Sequence, residues 1–133
     1  MVCCKTHLND FSFPPGEDWV TRPWGKYRTH FKSKDSSVCY KTLIVDCGHQ
    51  ISVQYHNKRS EVWYIPDESA QYQLTLAEEK SIIHGQRKID IPKGYVHSIF
   101  NMSSIPLMIY EFQYGFCDED DIVRLFDPYA NQR

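Results

Sequence analysis

Four side chains of ligand type stand out by their spacing. Gln54, His56 and Glu61 follow one another as Gln-x-His-x4-Glu, and His97 stands five residues after Pro92 in Pro-Lys-Gly-Tyr-Val-His. One carboxylate, two imidazoles and one neutral amide oxygen make a mixed nitrogen and oxygen donor set. Such a set suits a divalent first-row ion with room left for water or substrate oxygens. Zinc is the first choice, and manganese, iron, cobalt or nickel fit the same donors, because a mixed site does not select on ligand type. Each residue also has a plainer explanation. An isolated Gln-x-His is commonly the polar side of a solvated edge strand, and a lone histidine is commonly a hydrogen-bonded core residue.

The elements that must carry these residues are strands. In Gln50 to His56 the period is two, so Ile51, Val53 and Tyr55 share one face while Ser52, Gln54 and His56 share the other. Asn57 to Ser60 reads as a turn, after which Glu61 to Ile65 resumes as a strand, so a hairpin is expected to return Glu61 to the side of His56. Pro92 and Gly94 shape a second turn before His97, which gives a second ligand-bearing hairpin. Eight strands are expected, over 38–46, 50–56, 61–66, 71–77, 81–84, 87–91, 96–100 and 106–114. Strands this short and evenly spaced, with no amphipathic helix between them, predict an all-β sandwich or barrel. Residues 1–21, with Pro14, Pro15 and Gly16 among Phe11, Phe13 and Trp19, read as an arm, and 22–133 as the single domain. Asp118 to Asp121 before Ile122 to Phe126 suits the positive end of a short C-terminal helix, and this reading is preferred to an acidic metal cluster.

Composition narrows the function. A chain of 133 residues fits one domain and can bury a core without staples. With 15 Lys plus Arg against 17 Asp plus Glu, it lacks the charge footprint of a nucleic-acid binder, so a small-molecule partner is favoured. The six glycines form neither a Gly-x-Gly-x-x-Gly turn nor a phosphate-cradling P-loop. No apolar run is long enough for a membrane helix, and a cytoplasmic location is expected. The five cysteines, Cys3, Cys4, Cys39, Cys47 and Cys117, contain no Cys-x-x-Cys pair and are expected to stay reduced.

Taken together, Gly48-x5-Gln54-x-His56-x4-Glu61 and Gly85-x6-Pro92-x-Gly94-x2-His97-x3-Asn101 resemble the two motifs of the cupins, a jelly-roll barrel family whose motifs converge on one metal. Gln54 stands where many cupins carry a first histidine. That narrows the resemblance to the cupin domain of type II phosphomannose isomerases, including those fused behind mannose-1-phosphate guanylyltransferase, through Gln54, His56, Arg59, Glu61 and Trp63. The resemblance extends from Arg22-Pro23-Trp24-Gly25, through Tyr40-Lys41 and Ile109 to Gln113, to Asp120 through Leu125. Departures fall at Asn57-Lys58, Pro66-Asp67-Glu68 and Phe126.

The resemblance implies a cupin-type jelly roll with one divalent metal at Gln54, His56, Glu61 and His97, a homodimer, and interconversion of mannose 6-phosphate and fructose 6-phosphate. Such a reaction builds negative charge on an enediolate, which a bound cation stabilises. Arg22, Lys41 and Arg59 are the candidates for holding the sugar phosphate, Arg suited to bidentate contact and Lys to a point charge. Arg59 and Glu111 are the catalytic candidates. Glu111 shares a largely core-facing side with Leu107, Ile109 and Gln113, and is either the general base or a partner to Arg59. Two competing functions remain: a non-catalytic cupin that binds a sugar phosphate or sugar nucleotide, and a dioxygenase, since two histidines and one carboxylate also describe an iron oxygenase triad.

Overall fold

A computed structural model describes residues 19–132. In chain order the strands are β1 (Trp19–Arg22), β2 (Gly25–Lys32), β3 (Val38–Val45), β4 (Val53–Tyr55), β5 (Arg59–Ile65), β6 (Gln71–Leu76), β7 (Glu79–His84), β8 (Arg87–Ile91), β9 (His97–Asn101), β10 (Leu107–Gly115) and β11 (Val123–Phe126). They form a six-stranded sheet in the order β1-β2-β3-β10-β5-β8 and a five-stranded sheet in the order β11-β4-β9-β6-β7. The chain is all-β, and its two antiparallel sheets are consistent with a jelly roll. Eight of these strands fall where the sequence places them. Trp19 to Thr21, grouped with the arm on composition, instead run in β1, with Trp19 opposite Arg28 and Thr21 opposite Lys26. The rest of the arm lies outside the described residues.

Two expectations about connections are corrected. The turn at 57–58 does not close a hairpin, because β4 pairs with β9 and β11 whereas β5 pairs with β10 and β8 in the other sheet. The turn at 92–96 likewise passes the chain from β8 in one sheet to β9 in the other. Both ligand-bearing turns are therefore corners between sheets, and they set ligands from opposite walls against each other. The short C-terminal helix is also absent: Val123 pairs with Tyr55 and Arg124 with Gln54, so the segment is strand β11, followed by one 3-10 turn at Ala130–Gln132. The unpaired edge of β4 outweighs the helix-start chemistry of the acidic run, and covering that edge satisfies its backbone groups.

The inner face of the six-stranded sheet changes character along the strands. Near one end Val45 lies opposite Leu107 and Leu43 opposite Ile109, all buried, within a core that also holds Trp24, Ile65, Tyr72 and Ile99. Two residues further along, Lys41 faces Glu111 and Glu111 faces Trp63; two further again, Cys39 faces Gln113 and Gln113 faces Glu61. Period two holds throughout, so the polar residues point inward like the apolar ones. The barrel is an apolar core at one end and a buried polar site at the other. Cys39 and Cys117 are free and buried, whereas Cys47 is disulfide-bonded, which corrects the expectation of five reduced thiols. Spacing along a chain does not reveal which thiols a fold brings within bonding distance.

Candidate functional site

His56, at the corner after β4, Glu61 on β5 and His97 at the start of β9 converge at the polar end, with ligand atoms within 4.8 Å of one another. Gln54 and His97 are register partners on neighbouring strands, so their side chains share the inward face. The turn that delivers His97 uses Gly94 at φ 85°, a left-handed conformation open to glycine, and the Gly94 N–H donates to the His56 carbonyl at 2.8 Å. One corner is thus tied directly to the other. Gly115 lies just as close, since a Cβ there would stand 2.7 Å from the Lys58 carbonyl oxygen.

The tautomers follow from the partners. His56 Nδ1 lies 2.7 Å from the Asp121 carbonyl oxygen and His97 Nδ1 lies 3.0 Å from that of Tyr95. Carbonyls only accept, so each Nδ1 carries the hydrogen and each Nε2 turns a lone pair into the site. His56 Nε2 is 3.2 Å from Glu61 Oε2, and His97 Nε2 is 3.6 Å from Glu61 Oε1. His97 Nε2 is fully buried and has no hydrogen-bond partner among the described residues, an expensive condition for a polar atom. Lone pairs converging on a carboxylate, each backed by an Nδ1–H to carbonyl bond, form the donor set and supporting contacts of a metal centre. A divalent cation fits these residues. Burial alone would raise the Glu61 carboxyl, but the groups packed on it, His56, His97 and the charged Arg59 guanidinium, hold it well below the usual range. Burial pushes the His97 imidazole down, toward the neutral form a ligand needs.

Gln54 is brought to this cluster with its amide turned away. Its oxygen accepts from Ser52 Oγ at 2.5 Å, and its nitrogen stands 3.5 Å from His56 Nε2. Turning the amide over would place the oxygen toward the triad. Arg59 Nε donates to Glu61 Oε2 at 3.0 Å and its Nη2 lies 3.3 Å from His56 Nε2, so the guanidinium contacts two of the three ligand residues.

Gln54 and Arg59, which contact the triad, also line a cavity of about 130 Å³ together with Lys41, Glu111, Glu119, Arg124, Arg22, Trp24 and Tyr27. All three phosphate candidates, Arg22, Lys41 and Arg59, reach it. Arg22 is half-buried, with its guanidinium 5.3 Å from the centre of the Tyr27 ring, while Lys41 is buried and sits 4.8 Å from that same centre. Glu111 is buried, accepts from Trp63 Nε1 at 3.0 Å and from Gln113 Nε2 at 2.8 Å, and is pushed up to about 7 by burial and by the Glu61 charge.

Sequence reasoning missed the part played by the acidic run. The Asp118 carbonyl accepts from Arg59 Nη1 at 3.1 Å, and Glu119 pairs with Lys41 at 2.6 Å. The Asp121 carboxylate takes the backbone N–H groups of Asn57 and Lys58, while its carbonyl orients His56. The sequence signal was four consecutive acids, the last two within the stretch resembling the family's closing segment, but their contacts are with residues about 60 to 78 positions away. Trp63 and Gln113, as donors to Glu111, were equally invisible before the register was known.

Among solved structures, the capsular polysaccharide assembling protein CapF from Staphylococcus aureus is similar at a TM-score of 0.66 and 18% identity, covering 90% of this chain and 34% of that one. The Schizosaccharomyces pombe Cnp3 cupin domain is similar at a TM-score of 0.61 and 16% identity, over 68% of this chain and 64% of that one. These likenesses show the cupin fold. By sequence, the mannose-1-phosphate guanylyltransferase ManC of Salmonella typhimurium is 36% identical over 114 residues, 84% of this chain and 22% of that protein. The alginate biosynthesis protein AlgA of Pseudomonas aeruginosa is 35% identical over 112 residues, again 84% of this chain and 22% of its own length. The chain spans less than a quarter of the curated relatives it matches. Residues 16–127 match the family described as mannose-6-phosphate isomerase, C-terminal, and the chain belongs to that family.

Proposed function

We propose that this domain is a metal-dependent isomerase that interconverts mannose 6-phosphate and fructose 6-phosphate through an enediolate. The observation that carries the reading is the orphaned, buried Nε2 of His97, gathered with His56 and Glu61 next to Gln54 and Arg59, which line a cavity with further cations and one proton-holding carboxylate. His56, Glu61 and His97 would hold the metal, zinc being the first choice, with Gln54 joining once its amide turns. When bound, the ion supplies Lewis-acid stabilisation of negative charge on sugar oxygens. Arg22 and Lys41 bind the phosphate, and Arg59 supports charge developing at the floor of the cavity. Glu111 takes the proton beside the carbonyl: it lines the cavity, is oriented by Trp63 and Gln113, and has a proton affinity near neutrality, as a general base requires.

The test is conversion of either sugar phosphate into the other by the purified protein loaded in turn with zinc, manganese, iron, cobalt and nickel. Turnover in both directions that vanishes in Glu111→Gln is the expected result. A folded, metal-loaded protein with no turnover in either direction removes the isomerase. The activity in the names of the longer relatives is not proposed for this domain.

A further inference from the structure

We propose that Glu119 is an internal stand-in for the ligand's phosphate: its carboxylate holds Lys41 in the free protein and is displaced when a phosphomonoester enters. The inference rests on the reading of Lys41 as a phosphate-binding residue. The two partners of this ion pair come from different surroundings. The Lys41 side chain is 6% exposed and fixed in the sheet between Thr29 and Glu111, whereas that of Glu119 is 62% exposed and reaches in from the segment joining β10 and β11. They meet at 2.6 Å on the wall of the cavity. A buried ammonium needs an anion close by, and Glu119 provides one through an oxygen of the same kind a phosphate would offer.

The backbone around Glu119 is held independently of it. The Asp118 carbonyl accepts from Arg59, and the Asp121 carboxylate accepts from Asn57 and Lys58. Rotating the exposed Glu119 side chain toward solvent therefore frees the ammonium while the segment stays in place. A phosphate and the Glu119 carboxylate repel each other at one ammonium, so binding requires that rotation. A neutral sugar has no charge with which to displace the carboxylate, and the cavity wall stays occupied against it. Glu119 thus acts as a specificity-determining residue that makes entry depend on the ligand's negative charge.

The experiment is calorimetric titration with inorganic phosphate on the wild-type chain, Glu119→Gln and Lys41→Met, with thermal melts to check folding. Glu119→Gln keeps the shape and removes the charge, so phosphate binding should tighten by about tenfold, the scale of one charge-assisted contact. Lys41→Met should abolish it. Unchanged or weaker phosphate binding in Glu119→Gln overturns the proposal, as does phosphate binding that survives Lys41→Met. Should Glu119→Gln fold poorly, Glu119→Asp, which keeps the charge but shortens the reach, should tighten binding by a smaller factor, and equal or weaker binding overturns the proposal. Turnover separates this from the isomerase reading. Tightened phosphate binding without isomerisation sustains the stand-in and removes the isomerase, whereas isomerisation without tightening does the reverse.

Discussion

The carboxylates of Glu61 and Glu111 share one hydrogen, the Trp63 indole N–H, which lies 3.2 Å from Glu61 Oε1 and 3.0 Å from Glu111 Oε1. Two buried acids so close cannot both ionise freely, and their surroundings separate them. The Arg59 guanidinium beside Glu61 keeps it charged, while Glu111, desolvated and facing that charge, retains its proton up to about 7. One member of the pair is fitted to hold a cation and the other to hold a proton.

A pH dependence of the metal-free protein follows. Glu111 binds its proton more tightly folded than unfolded, so its contribution to stability is complete below the ordinary glutamate range. It is lost as pH rises through about 7. The loss should be on the order of 3 kcal/mol and should flatten in Glu111→Gln, read from urea unfolding in chelator between pH 4.5 and 8. Glu61 has the opposite sign, its contribution being lost as pH falls below the ordinary carboxylate range. A wild-type profile that rises from pH 5 to 8 would contradict the assignment for Glu111.

Replacing the shared donor tests the pair directly. Trp63→Phe preserves most of the buried ring but leaves both carboxylates without the indole N–H, and should cost about 1 to 3 kcal/mol of stability. Added divalent metal should recover more stability in this variant than in wild type. Equal metal-induced shifts in melting temperature would show that the bridge does not matter to the charge balance.

What could be read from the sequence was the alternation, and what could not was the pairing. Gln54 against Val53 and Tyr55 fits the alternation of β4, whereas Ile51 and Ser52, expected on opposite faces, precede the strand and both line the cavity, and Glu111 falls as expected on the inner side with Ile109 and Gln113, buried in the structure. The same alternation is silent on which strand lies beside which. The corners at 57–58 and 92–96 therefore read as hairpins although they join different sheets. Val123 to Phe126 was misjudged for a related reason: acids ahead of an apolar stretch suit a helix start locally, but the open edge of β4 takes the segment as a strand. The contacts of Glu119 and Asp121 depend on that placement, so they became visible only in three dimensions.

His97→Ala should remove metal binding. It takes away a lone pair that has no other partner in the site, and competition with a chromogenic chelator should show affinity lowered by at least about a hundredfold. Wild type should gain about 2.7 kcal/mol of stability at a metal concentration one hundred times its Kd, and the variant almost none. Equal metal stabilisation of the two proteins would remove His97 from the ligand set.

The Asp121 carboxylate fixes the corner that presents His56, accepting from Asn57 N–H at 3.0 Å and Lys58 N–H at 2.8 Å. Asp121→Ala leaves these two donors without their acceptor and loosens the carbonyl that sets the His56 tautomer. Metal affinity should fall by about 10- to 100-fold, the range for contacts that orient a ligand. Unaltered metal affinity in a folded Asp121→Ala protein would show that the corner holds itself.

Arg59 gives the sharpest test, because its guanidinium lies on atoms a metal would need. Its position two residues before Glu61 suggests a side chain that can reach phosphate or enediolate, and in the structure Nε donates to Glu61 Oε2 and Nη2 to His56 Nε2. A cation bound there must compete with this fork and push it toward the cavity, which Arg59 already lines. Arg59→Ala should therefore bind divalent metal more tightly than wild type while turnover falls by roughly a hundredfold or more, as expected when charge stabilisation is lost. Without metal the same variant leaves buried Glu61 short of a cation and should be less stable by on the order of 3 kcal/mol, a deficit that metal restores. Weaker metal binding in Arg59→Ala would mean that the guanidinium organises the ligands, and the competition would then be discarded.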